Sequence, residues 1–444
     1  MEKKQQKKYS LLTAITMIVG ICIGSGIFFK SDNILVATNG NISIGIILFV
    51  VAAIAIIFGS LTVSILAQKT DQPGGIITYA QEFVNLRFAC GLGWFMTLVY
   101  FPAITAVVSW VIGIYTNILF HWNLGLEGEI LIGFIFMTLC YLYNVFTPKI
   151  GACFQSGTTF IKLIPLFALG IAGVIFGDPI GGIRDFNPRL LTSAGFLTAL
   201  GPIAYCFDGW IVSTSIAHEI KDAKRNLPKA LTIAPLIVLG IYVLYFFGIS
   251  CYVGADTVMS LQDEHVHLAA MELFGPGFAK AIMVFVIVSV MGTVNGLVTG
   301  FIRMPYLMSL RKGMFFLEKI HTKTYFQTNM PLYSALSAYI LTALWLFIHF
   351  VLTKYQVLGN SDVSEIAISM SYLFYIVLYV KVMKMYKAKE ITSFKKGVVY
   401  PILAMIGSFI ILTGAIQTPV FIYYVIFVVI IYIISQIYYQ IKKS

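Results

Sequence analysis

The chain is written in long apolar runs separated by short polar joints. A helix needs about 20 apolar residues to cross a bilayer. Twelve such runs can be laid down, at 11–31, 43–68, 91–120, 128–147, 150–176, 194–218, 229–253, 277–310, 332–352, 364–384, 397–415 and 419–440. A barrel strand would alternate over about ten residues. These runs are continuous and far longer, so they predict helices. The third and eighth are long enough to require tilt or ends that project from the hydrocarbon. The pattern describes an all-α integral membrane protein, a single membrane domain over 1–444 with twelve transmembrane helices.

Composition agrees: 59% of residues are hydrophobic and 11% charged, against roughly a quarter charged in soluble domains. The start, MEKKQQKKYS, is basic, but no small-residue cleavage site follows the first run, so no removable signal peptide is expected. With twelve spans both termini share one side. That side holds 24 of the 30 Lys and Arg residues, and the other holds Lys30, Arg184, Arg189, Lys280 and Lys354. The asymmetry predicts cytoplasmic termini in the cell membrane. The net charge of +11 is therefore a topology signal. Spread over separate segments and not gathered in one patch, it does not describe nucleic-acid binding.

Cys22, Cys90, Cys140, Cys153, Cys206 and Cys251 lie in or beside apolar spans without metal-ligand spacing. They are expected to be small buried hydrophobes. The histidines fall mostly at span ends or in loops. His265 and His267 form a close pair on an acidic loop with Asp263 and Glu264, read as a surface loop. No catalytic constellation, metal site or cofactor site is predicted, and the chain is not read as an enzyme.

One basic residue remains. Lys162 lies 13 residues beyond Lys149, about 20 Å along a helix at about 1.5 Å per residue. A lysine that deep cannot easily snorkel to the interface, and its placement costs a few kcal/mol unless it is paired or functional. Asp208 is similarly deep in the sixth span, after Gly201-Pro202 and before Gly209. Proline removes a helix donor and glycine loosens the backbone, so Asp208 sits beside a predicted break.

The first span carries a matching interruption at Gly24-Ser25-Gly26. Gly20 and Gly24 alone would read as a close-packing spacing, but the partner break five spans later changes that reading. An odd offset makes the two segments antiparallel, the signature of an inverted-repeat transporter. The repeats would be 11–176 and 194–384, with 397–440 appended. Unwinding frees backbone groups where they can line a cavity. The N–H groups around Ser25, Gly26 and Ile27 would take a carboxylate at a half-helix N-terminus. Carbonyls near Cys22, Tyr205, Cys206 and Asp208 would take an ammonium. The binding segments are thus Cys22, Ile23, Gly24, Ser25, Gly26 and Ile27, with Tyr205, Cys206, Phe207, Asp208 and Gly209. An α-amino acid fits that pair of charges.

At these residues the sequence resembles the amino acid–polyamine–organocation superfamily, and within it the L-type amino acid transporter branch. The resemblance is carried by "GSGIFF", "QPGGIITYAQEF", "FDGW" with "HEIKDAKRNLPKAL", and "VMGTVNGLVTGFIRMPYLMSLRKGMF", in order from about residue 10 to about residue 320. It implies a LeuT-type fold of 5+5 inverted repeats plus two C-terminal helices. It implies alternating access, and sodium-independent exchange of small or medium neutral L-amino acids. Proton-coupled symport, or transport of cationic amino acids or polyamines, stays open as an alternative. The resemblance places Lys162 where sodium-coupled relatives bind a cation, bridging the first helix near Gly24 to the eighth near Ser289 and Thr293, and makes Tyr205 a gate. Asp208 replaces a small residue of many eukaryotic members. The loop "HWNLGLEGE" lacks the cysteine that holds a heavy-chain partner, so no disulfide-linked heavy chain is expected. A channel would need repeated polar rings or a carbonyl filter, which the sequence does not offer, and a receptor role has no motif of its own.

Overall fold

The computed structural model describes residues 10–443, apart from 25, 71, 73, 185, 212–219, 312–313, 317, 326–327, 329, 360 and 419. Among the described residues the elements are all helices. The first span is a bent pair, α1 (Leu11–Cys22) and α2 (Gly26–Ala37), with 54° between them. Then come α3 (Ile42–Ala67), α4 (Leu86–Phe120) and α5 (Leu126–Phe146). The fifth span is α6 (Pro148–Ile161) followed by α7 (Leu163–Phe176), joined at Lys162, whose backbone stays helical. The sixth begins with the short helix Ala194–Thr198 and α8 (Leu200–Cys206); its predicted end, 212–218, lies outside the described residues. The chain continues with α9 (Ala223–Val253), α10 (His265–Leu310), α11 (Leu332–Lys354), α12 (Val363–Lys387), α13 (Tyr400–Ile416) and α14 (Phe421–Lys443). In α10 the backbone is non-helical at Gly275 (φ 76°), so the spanning part begins at Pro276, one residue from the predicted start.

Local chemistry explains the element ends. Ser10, Asn41 and Asn85 accept from N–H groups of the following first turns and start α1, α3 and α4, as N-cap side chains do. Asp362 does the same for α12. Inside α4, Met96–Tyr100 forms a π-helical turn just before Pro102. Proline cannot donate to the carbonyl one turn back, and the Leu98 carbonyl accepts instead from the Trp345 indole of α11 at 2.8 Å.

The long helices pack with backbones nearly touching. On α7, Gly170 and Gly173 meet Gly248 of α9, where a Cβ on Gly248 would fall on the Gly170 carbonyl; Gly113 of α4 and Gly133 of α5 are crowded the same way by Glu129 and Ser109. Without a hydrophobic drive between helices in lipid, close approach at small residues supplies the packing. The apolar surface left bare suits the same solvent: Ile422, Ile426, Ile430, Ile433 and Ile437 form an exposed stripe along α14.

The structure corrects several expectations. Cys153 is exposed, while the other five cysteines are buried. Lys30, counted as a surface charge, is 1% exposed, and His265 and His349 are also buried. Lys30 is covered by Asp362 and Glu365 and His349 by Trp110, partners remote in sequence that counting along one chain does not reveal.

Gly248→Leu is expected to lower stability by at least about 1–3 kcal/mol, the usual cost of overpacking. Gly240→Leu, on the same helix with nothing within 4 Å of its Cβ position, should stay within about 0.5 kcal/mol. Thermal unfolding of the two purified variants in detergent checks the contrast.

Candidate functional site

The glycine-rich stretch of the first span is a real interruption. Helix α1 ends at Cys22, Ile23 is extended (φ −74°, ψ 112°), and α2 starts at Gly26. The break leaves carbonyls at the end of α1 and N–H groups at the start of α2 without helical partners. Side chains from elsewhere take the carbonyls. The Lys162 ammonium donates to Gly20 O at 3.0 Å and to Thr293 Oγ1 at 3.4 Å. The Tyr242 hydroxyl of α9 lies 2.9 Å from Cys22 O.

The second break is a turn at 207–209. Asp208 N–H donates to Tyr205 O at 3.1 Å, and Gly209 takes φ +96°, a left-handed conformation that glycine accepts without strain. The same Tyr242 hydroxyl lies 2.9 Å from Cys206 O. A tyrosine has one proton to donate, so Tyr242 serves Cys22 O or Cys206 O at any moment and joins the two breaks through a shared donor. The breaks also touch directly: a Cβ on Gly26 would lie 2.8 Å from Cys206 Cα, and one on Gly209 would lie 2.8 Å from Ile21 Cγ2.

A cavity of about 610 Å³ opens where the breaks meet. Cys22, Gly24, Gly26, Tyr205, Asp208 and Gly209 line it, together with Lys162 and Thr293. Ile23, Ile27, Cys206 and Phe207 are buried behind its wall. Ser25 lies outside the described residues. Asp208 presents its carboxylate beside the cavity, where the Tyr100 hydroxyl donates to it with oxygens at 2.7 and 2.8 Å. Tyr100 ends the π-helical turn of α4, a feature common at functional sites. The cavity runs past Asn144, Gln155 and Arg303 toward Pro148 and Met330, on the face that carries most of the basic residues.

The opposite side is closed. Tyr205 packs edge-on against Phe29 at 6.4 Å, and the Lys30 ammonium lies 5.4 Å from the Tyr205 ring centre. Lys30 in turn pairs with Asp362 at 2.7 Å and with Glu365.

Lys162 joins the two expected helices, with Thr293 as expected and without Ser289. Lys162 holds Gly20, one helical turn before Gly24, and Thr293; the Ser289 hydroxyl is buried without a hydrogen bond. A Cβ on Gly24 would lie 2.6 Å from Thr293 Oγ1, so the break is still pressed against α10 at that point. Tyr242, Tyr100 and Lys30 were not anticipated as site residues. The two tyrosines sit in apolar spans like any core aromatic. The proline after the π-helical turn was the one local signal available for Tyr100.

Comparison with known proteins agrees with this architecture. A family model described as Amino acid permease matches residues 9–441. The "Serine/threonine exchanger SteT" of Bacillus subtilis (strain 168) is 30% identical over 93% of this chain and 92% of its own. The human "Cystine/glutamate transporter" is 27% identical over 78% of this chain and 69% of its own. Among solved structures, that of "MhsT in complex with L-phenylalanine" has a TM-score of 0.65 at 14% identity, covering 93% of this chain and 99% of MhsT; at that identity the likeness establishes the LeuT-type fold. With interrupted helices meeting at a central cavity in an all-helical membrane fold, the chain belongs to the amino acid permease family, in the L-type-like branch of the amino acid–polyamine–organocation superfamily.

Proposed function

We propose that the chain is a sodium-independent exchanger of small or medium neutral L-amino acids, working by alternating access with both termini in the cytoplasm. The observation that carries the reading is the meeting of two helix breaks at one cavity. N–H groups at the start of α2 offer a carboxylate site, and carbonyls at the ends of α1 and α8, of which Tyr242 can serve only one at a time, offer an ammonium site. The residues 11–176 and 194–384 act as the two inverted repeats, each contributing one break, with 397–440 as an added pair of helices. The lysine supports sodium independence. Lys162 offers its own positive charge to a helix-end carbonyl and a threonine hydroxyl, the oxygen ligands that a hard cation would otherwise seek. On this reading the structure is inward-facing: the cavity reaches the basic face, and Tyr205 with the Lys30 ion pairs closes the other.

A substrate can drive the cycle only by binding the occluded state better than either open state. Contact between the breaks supplies that difference, because an amino acid bound to α2 and α8 at once resists their separation. SteT, a serine/threonine exchanger by name, is a relative over nearly the full chain, which favours exchange of small neutral substrates here.

Counterflow in proteoliposomes tests the proposal. Internal unlabelled serine or another small neutral amino acid should accelerate uptake of the labelled one, equally with sodium or choline outside. Uptake that ignores internal substrate would overturn exchange, and a sodium requirement would overturn the role given to Lys162. Lys162→Ala removes two hydrogen bonds from a charged donor at about 1.5–3 kcal/mol each, and exchange is expected to slow by about 10- to 100-fold or more while the protein still purifies folded. Tyr242→Phe leaves Cys22 O and Cys206 O without their shared donor, at a cost of about 1–3 kcal/mol. The apparent substrate affinity should shift by about tenfold, checked by concentration dependence of counterflow.

A further inference from the structure

The side opposite the cavity mouth encloses more carboxylates than cations. Lys30 and Asp32 lie on α2, and both are buried. The Lys30 ammonium is committed to Asp362 and Glu365 at the start of α12. Asp362 is also the N-cap of that helix, with Oδ1 accepting from Ser364 N–H at 2.7 Å, so its charge is met by the lysine and by the helix N-terminus. Asp32 is only half satisfied: backbone N–H groups of its own turn donate to its carboxylate, while its Oδ1 is buried without a hydrogen bond. Asp263, on the turn Gln262–Glu264 that packs against α2, accepts from the Tyr115 hydroxyl of α4 at 3.3 Å. The turn that carries Asp263 packs against α2, and the Asp32 charge acts on Asp263.

The surrounding elements add no second cation among the described side chains. Tyr245 of α9 faces both aspartates, with its hydroxyl buried and without a hydrogen bond. Glu129 of α5 is held by the Trp110 indole and the Asn117 amide. His349 of α11 stacks on Trp110 with ring centres 4.6 Å apart and faces Lys30 and Asp362. Tyr424 of α14 faces Asp362. Asp32, Asp263, Asp362 and Glu365 therefore share one lysine. Asp32 is buried and Asp263 partly so; a buried carboxyl oxygen without a partner favours the protonated form, and a neighbouring carboxylate strengthens that preference.

We propose that the Asp32–Asp263 pair is a proton-binding site that completes the closed state of the exoplasmic side, so that a proton is a ligand of the outward-closed transporter. The proposal rests on the reading that the chain is a carrier with this face exoplasmic. Opening moves α2 away from the turn 262–264 and hydrates both carboxylates, which then ionise near their ordinary value of about 4 and release the proton. Closing takes it up again. In the closed state burial, and then the Asp32 charge, push Asp263 well above the usual carboxylate range. The sign follows: a state that holds more protons is favoured as pH falls and is lost as pH rises through the closed-state value.

Ser31 lies between Lys30 and Asp32 and is fully buried, so a thiol there reports opening. In right-side-out vesicles carrying Ser31→Cys, an impermeant maleimide is applied at external pH from about 5.5 to 8, and labelling at residue 31 is read by peptide mass spectrometry. Dividing by the labelling of Ser260→Cys, exposed on the same side, removes the pH dependence of thiol reactivity. The ratio should rise with pH, by up to about tenfold per unit for one linked proton. Adding Asp32→Asn and Asp263→Asn should leave it low and flat. A flat ratio in the parent, or an unchanged slope in the double variant, overturns the site. A slope abolished by His349→Gln and retained in the double variant also overturns it, moving the proton to the imidazole. Counterflow in the same vesicles separates the two readings. Flat labelling with intact counterflow sinks the proton site alone; pH-dependent labelling without counterflow sinks the carrier and leaves the site.

Discussion

A helix interrupted inside a bilayer leaves peptide groups that no lipid can satisfy. The centre of this molecule is organised around that constraint. Two helices are broken where they meet at one cavity, and groups freed by one break are met by side chains that also serve the other break or its neighbours. Tyr242 places one hydroxyl between Cys22 O and Cys206 O. Lys162 ties Gly20 O to Thr293 on α10. The start of α2 at Gly26 and the end of α1 at Cys22 both line a cavity. What the protein leaves unsatisfied there defines what a ligand must bring.

Glycine makes this arrangement possible in two separate ways. At Gly209 it supplies a left-handed turn. At Gly26 it lets α2 come within contact of Cys206, so that both halves of the site fall within the length of one small molecule. The same logic runs through the scaffold, where Gly170, Gly173 and Gly248 bring α7 and α9 into backbone contact. A scaffold packed that closely resists deformation, which suits it to be the body against which the broken helices are held.

Tyr205 connects the cavity to the sealed face. Its ring lines the cavity on one side and stands 5.4 Å from the Lys30 ammonium on the other. Lys30 joins α2 to the first turn of α12 through two carboxylates. A buried ion pair of this kind gives little net stability relative to an apolar contact, because desolvation offsets the attraction. It does fix geometry, and removing one partner leaves a buried charge. That is the behaviour of a contact whose value lies in being made or broken as a unit, and it lies one aromatic ring away from where a substrate would sit.

Much of this was legible in residue order. The period and length of the apolar runs determined an all-helical membrane protein. The clustering of Gly24, Ser25 and Gly26 marked the first break, and Gly201-Pro202 with Asp208-Gly209 marked the second, because backbone preferences are local. Simple counting placed Lys162 deep in its span. The sequence could not name Tyr242 or Tyr100, since an aromatic residue in an apolar run reads the same whether it packs a core or donates a proton to a carbonyl 220 residues away, as Tyr242 does to Cys22. It placed Lys30 among surface charges because topology rules count charges by side and are blind to what covers them. Which carbonyl Lys162 reaches, which carboxylates face Lys30, and that Asp32 and Asp263 are neighbours were decided by tertiary structure alone. Those relations depend on distances between helices that are remote in sequence, and only the packing of the helices sets such distances.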